Sequence, residues 1–133
     1  FETSDPDLQR STGGKVTNQE FFRTVENLHR AGYKQEELRT YILIGLPGQT
    51  RQQMWDCIDF VFDAGANPVL TEYSMIPGSA DWSKWKDSLG LENLDPLLHN
   101  NSIFSAQMGW LPLEELEEMK DLVREKREKL RKS

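Results

Sequence analysis

The chain has 133 residues, 37% of them hydrophobic, with a formal net charge of −6 and one cysteine. That length fits one hydrophobic core, and the acidic balance argues against both a nucleic-acid footprint and adsorption to an anionic membrane. A lone cysteine excludes an internal disulfide, no apolar run reaches the ~20 residues of a spanning helix, and no signal-peptide pattern opens the chain, so a cytoplasmic location is expected.

The opening residues, Phe1 to Asp7, read as the end of a strand followed by a turn. The expectation is therefore a piece cut from a longer chain. A first helix follows, announced by a capping box of Thr17 and Glu20 and a hydrophobic staple of Val16 and Phe21. Phe21, Val25 and Leu28 recur at helical spacing, Phe22 widens the stripe, and Gly32 supplies the left-handed stop. Tyr41 to Ile44 are unbroken apolar residues, the pattern of a parallel strand buried on both faces. Gly45 to Gly48 break it, and Thr50 with Gln53 caps a second helix carried by Met54, Ile58 and Val61. Gly65 and Pro68 end that helix, and a second strand is expected from Val69 to about Ile76 before Pro77-Gly78.

Helices of this length between buried strands predict βαβ crossovers. Pro47-Gly48 and Pro77-Gly78 then stand as equivalent turns on one rim. Residues 79–111 scatter Trp82, Trp85, Leu89, Leu91, Ile103 and Phe104 among polar residues, which predicts an irregular packing segment with short helical turns near Trp82 to Ser88. Pro112 opens a terminal helix over 112–133, with Leu116, Met119, Val123 and Leu130 on one face, acid at its start and base at its end. The fold expectation is α/β: a partial, half TIM-like barrel, βαβαβ with parallel strands over 1–78, then the irregular segment and the C-terminal helix.

In α/β sheets ligands bind beyond the carboxyl ends of the strands. Here those ends are Glu2 to Ser4, Gly45 to Thr50 and Tyr73 to Ser79. Glu72 is a carboxylate in an apolar strand, which calls for a ligand, a lysine partner or water. Cys57 shares the buried face of its helix and reads as a packed hydrophobe. Neither His29 nor His99 has a neighbour at metal-ligand spacing, and no Ser-His-Asp arrangement, Walker loop or GxGxxG is present. Asn100-Asn101-Ser102 fits a glycosylation sequon without any other mark of secretion.

Taken in order, FETSDPDLQRSTGGKVTNQEF, YILIGLPGQT and LTEYSMIPGS resemble the second half of a radical S-adenosylmethionine barrel. The PLLHNNSIF stretch is similar to a branch whose larger members carry a cobalamin-binding domain. The resemblance implies a parent enzyme with S-adenosylmethionine and a four-iron four-sulfur cluster, held elsewhere by a CxxxCxxC loop that these residues lack; cobalamin in the parent is implied by the branch alone. It assigns no catalytic or metal residue here. It matches Glu2 and Ser4 to the fourth-strand position near the ribose or methionyl group, Ile44 and Gly45 to the fifth-strand motif beside adenine, Glu72 and Tyr73 to the sixth-strand end, and Lys15 to a basic position near the cofactor carboxylate. Gly48 or Gln49 stands where relatives carry an acid. The expected partner is the missing N-terminal half of the same polypeptide, with self-association through open sheet edges.

Two other readings use the same residues. One is a non-catalytic interaction module presenting the terminal helix and the Trp-bearing segment. The other is an unrelated phosphate-binding barrel enzyme, with its anion at Thr50.

Overall fold

A computed structural model describes residues 1–99 and 104–132; Asn100, Asn101, Ser102 and Ile103, which carry the sequon and part of the PLLHNNSIF stretch, lie outside the described residues. The chain is a mixed α/β structure built on a two-stranded parallel sheet. Strand β1, Arg39–Ile44, pairs with β2, Asn67–Glu72, in a register that sets Tyr41 beside Val69 and Ile44 beside Glu72. Helices α1 (Pro6–Ser11) and α2 (Asn18–Arg30) precede β1, and α3 (Arg51–Asp63) links the strands. Helices α4 (Ala80–Leu89), α5 (Phe104–Gln107) and α6 (Leu113–Lys132) follow β2.

The opening residues contribute one ladder bond rather than a third strand. The Leu43 N–H donates to the Glu2 carbonyl at 2.8 Å. The Ile44 carbonyl accepts from Tyr73 N–H at 2.9 Å, so Glu2 lies on the side of β1 away from β2. The extended run stops early because Asp5 caps α1, accepting from the N–H groups of Asp7 and Leu8 at 2.9 Å each, with Pro6 in the first turn. The sequence reading took this segment for a plain turn.

Strand β2 ends at Glu72, short of the expected Ile76. Nor is β1 buried on both faces. Ile42 and Ile44 are covered by helices, but Tyr41 on the opposite face is 67% exposed. An apolar run can mark a two-sided strand only where something covers each side, and here the second side is open.

The covered face holds a core of Phe21 and Val25 from α2, Cys57, Ile58 and Val61 from α3, Ile42 from β1 and Val123 from α6. Phe1 stacks on Phe21 at 4.3 Å and extends this core to the start of the chain. Both expected capping boxes are present, Thr17 with Glu20 and Thr50 with Gln53. Phe22 and Leu130, expected on apolar stripes, are instead exposed. Phe22 lies one position from Phe21, about 100° around the helix, so the two cannot share a face.

Residues 79–111 are more helical than their composition suggested. Ser79 caps α4 by accepting from Trp82 N–H, and Gly90, at φ 62°, ends it in the left-handed region. Its tryptophans and Trp110 pack around buried Met75, Leu91 and Phe104 as a separate core.

One contact ties this segment to the sheet. The buried Ser105 hydroxyl lies 3.1 Å from the Gly45 carbonyl and 2.9 Å from the Tyr73 carbonyl, joining the two strand ends. Gly45 sits at φ +75°, and a Cβ there would come within 2.4 Å of the Ser105 hydroxyl. Gly45→Ala should therefore destabilise the fold by about 2–4 kcal/mol, from left-handed strain plus overpacking. Adding Ser105→Gly should relieve the overpacking but lose the Ser105 tie, leaving the double variant still less stable than the parent chain, as read by urea denaturation of both variants.

Candidate functional site

Parallel pairing puts the carboxyl ends of both strands on one rim, and the Leu43–Glu2 bond brings the start of the chain to the same rim. Pro47-Gly48 and Pro77-Gly78 form equivalent turns there: Gly48 has φ 76° and Gly78 φ 83°, and each turn leads into a capped helix, at Thr50 or Ser79. Below this rim the uncovered sheet face floors an open cleft of about 730 Å³. Glu2, Leu43, Thr71 and Tyr73 line the floor, the α1 end from Ser11 to Gly13 forms one wall, and the α4 start from Ser79 to Asp81 forms the other.

Strand alternation sorts the expected site residues between the two faces. Glu2 and Tyr73 reach the cleft, and Lys15 stands 3.6 Å from Glu2 as a solvent-exposed pair that adds little energy. Ile44 is fully buried among Met54, Leu116 and Met119 on the helix side. Cys57 lies buried on that side, and its burial raises the thiol pKa. Cys57 is thus the packed hydrophobe its spacing suggested.

Glu72 takes the lysine-pairing option. Its carboxylate lies 2.7 Å from Lys120 of α6 and is only 15% exposed, and the hydrogen bond from this partner raises the lysine pKa. Being level with Ile44, Glu72 offers the cleft its backbone rather than its charge. Gly45 stands at the rim, but its carbonyl is engaged by Ser105.

Asp81 and Ser105 have no signal in the sequence, and Gln49 stands out there only as the residue in place of an acid. Asp81 accepts from the Tyr73 hydroxyl at 2.6 Å, bridging β2 to α4 across one end of the cleft. Gln49 is buried and accepts from Leu46 N–H at 3.1 Å while its amide faces the Leu43 carbonyl at 3.4 Å. A carboxylate at that position could accept but not donate, which is a physical reason for the amide. Ser105 meets its partners across 60 and 32 residues, separations that no local pattern encodes, and Asp81 reaches Tyr73 only because α4 folds back over the end of β2.

At Thr50 the cap is saturated internally, since its hydroxyl accepts from Gln53 N–H and its own N–H donates to the Gln53 side chain. Among the described residues no group of His, Cys, Asp and Glu could hold a metal ion, and no helix is long and apolar enough to cross a membrane.

In comparisons with known proteins, the family model for the radical SAM superfamily matches residues 1–61. No curated protein and no solved structure matches the chain.

Burial, and then the Asp81 acceptor and its charge, raise the Tyr73 pKa well above the ordinary tyrosine value. Because the neutral phenol is favoured in the folded state, its contribution to stability is present below the unfolded tyrosine pKa near 10 and is lost as pH rises through the elevated value. In an alkaline absorbance titration, Tyr73 should appear as a late-ionising phenol. Tyr73→Phe should remove that late step, and Asp81→Asn should bring it to lower pH.

Proposed function

We propose, from the match of residues 1–61 to the radical SAM superfamily model, that this chain is the nucleoside- and substrate-side half of such an enzyme's barrel. The observation that carries the reading is the row of adjacent strand tips, Glu2 bonded to Leu43 on one side of β1 and Glu72 in register with Ile44 on the other. In this reading Phe1 to Ser4, β1 and β2 are consecutive barrel strand ends, and the open sheet face is the barrel interior awaiting the N-terminal half.

The superfamily implies S-adenosylmethionine and a four-iron four-sulfur cluster in the parent enzyme; together they supply a 5′-deoxyadenosyl radical when bound. The donor set of the cleft suits the nucleoside part. Leu43 and Ile76 offer apolar surface for a base, while Glu2, Thr71 and Tyr73 offer acceptors and hydroxyls for a ribose or an ammonium group. Lys15 beside Glu2 complements a carboxylate. Gly45 and Glu72 would contribute backbone, and Ser4 and Ile44 would hold their strand tips from behind. The cluster does not fit these residues, because the single cysteine is buried in the helix-side core. The reading assigns no residue of this chain to cobalamin and places the chain in the cytoplasm.

The interaction-module reading draws less support. The tryptophans that would form its surface pack around Phe104 and Leu91, and the apolar face of α6 covers Ile44 and Leu70. Self-association is proposed through the outer edge of the opening strand segment. The β2 edge carries its own protection, a proline without an N–H at 68 whose carbonyl is taken by Arg127.

Equilibrium dialysis with S-adenosylmethionine should show weak binding by this chain, with a Kd above micromolar, and Glu2→Gln should weaken it by roughly tenfold. Anaerobic treatment with iron and sulfide should leave the protein colourless. Binding tighter than micromolar, or a stable brown cluster absorbance, would overturn the half-site reading.

A further inference from the structure

A second cavity, of about 690 Å³, opens at the opposite end of the sheet, where β1 and β2 begin. Six residues of strand, about 20 Å, separate it from the rim cleft. Its walls are the turn before β1, Arg39 and Asn67 at the strand starts, and the last turns of α6.

The charges in this cavity run against the chain as a whole. Lys34, Arg39, Arg127 and Arg131 line it, in a protein whose net charge is −6. Arg124 also lines it but is paired with Asp121 at 2.9 Å. Three carboxylates share the walls, Glu36, Glu37 and Glu128. Glu37 is engaged by the Lys34 N–H at 2.8 Å, and among the described residues none of the three forms an ion pair with Arg39, Arg127 or Arg131.

Arg127 makes the case specific. Its guanidinium donates to the Pro68 carbonyl, which fixes the group in place, while its Nε is buried without a hydrogen-bond partner. Burial and the nearby charge of Arg39 both lower its pKa. The like charge of Arg39 adds repulsion that an anion in the cavity would offset, and no carboxylate of the walls forms a salt bridge with either guanidinium among the described residues. A planar guanidinium matches an oxyanion through paired N–H donors, so the Arg39 and Arg127 side chains that line this cavity offer a recognition surface for one. The volume exceeds that of a bare ion and lies in the range of small-molecule sites.

We propose that this cavity is a binding site for a phosphate-bearing small molecule, distinct from the rim cleft and independent of the radical SAM reading.

The test is a ¹H–¹⁵N NMR titration of the 133-residue chain with inorganic pyrophosphate at constant ionic strength. The expected result is saturable shifts of the Asn67 amide and the arginine Nε–H signals, with binding complete by the ~1 mM range. Arg39→Gln, at an exposed position that spares the Arg127–Pro68 contact, should weaken binding about tenfold or more, whereas Arg10→Gln on α1 should leave it unchanged. Shifts that grow without saturating, equal affinity in Arg39→Gln, or an equal response to acetate would overturn the proposal, because each describes a diffuse basic surface rather than a site.

Discussion

Ile42 and Ile44 point to one face of β1 and Leu43 to the other, and the ladder holding β1 between Glu2 and β2 keeps that alternation in place. The chain's other features hang on this pairing. Its helix side carries α3 beneath both strands and α6 running antiparallel beside β2, and each fully covered isoleucine contributes on the order of 1.5–3 kcal/mol. Its open side becomes the floor of the cleft. A slip of one residue would exchange the two faces, exposing Ile42 and Ile44 and burying Tyr41.

The two ends of this sheet are finished by different chemistry. At the carboxyl ends Ser105 takes up both strand-end carbonyls, and the glycine at 45 makes room for it. At the amino ends Arg127 reaches the Pro68 carbonyl on the outer edge, closing a position where a neighbouring strand could bond. Both devices come from distant parts of the chain and satisfy backbone groups that a two-stranded sheet leaves open. The first keeps the rim rigid beneath the cleft. The second fixes an arginine in the wall of the amino-end cavity.

Between the faces, charge is sorted by strand alternation. Glu2 stands in the cleft, while Glu72, on the far side of β1, pairs with Lys120 of α6. Two carboxylates at strand tips on either side of β1 thus serve different ends, one available to a ligand and one tying α6 to β2. The cleft keeps a modest acidic character from Glu2 and Asp81, tempered by Lys15 and by the hydrogen bond Asp81 receives from Tyr73.

Local chemistry was enough to place α2, β1, α3 and β2 in order. The capping boxes at Thr17 and Thr50, the stops at Gly32 and Gly65 and the apolar run before Gly45 act over a few residues, and each appears in the structure. The same local logic missed α1, where Asp5 and Pro6 combine into a cap, and underrated α4, whose Ser79 and Gly90 signals were hidden by scattered tryptophans. The strand tips, and hence the rim, followed from βα order alone. Which face each tip presents did not: that depends on register, set by contacts between residues far apart in sequence. Tertiary packing therefore decided that Glu72 pairs with Lys120, that Ser105 clamps Gly45 and Tyr73, and that Arg39 and Arg127 line one cavity, because burial and Coulomb energies follow distance in space and not separation along the chain.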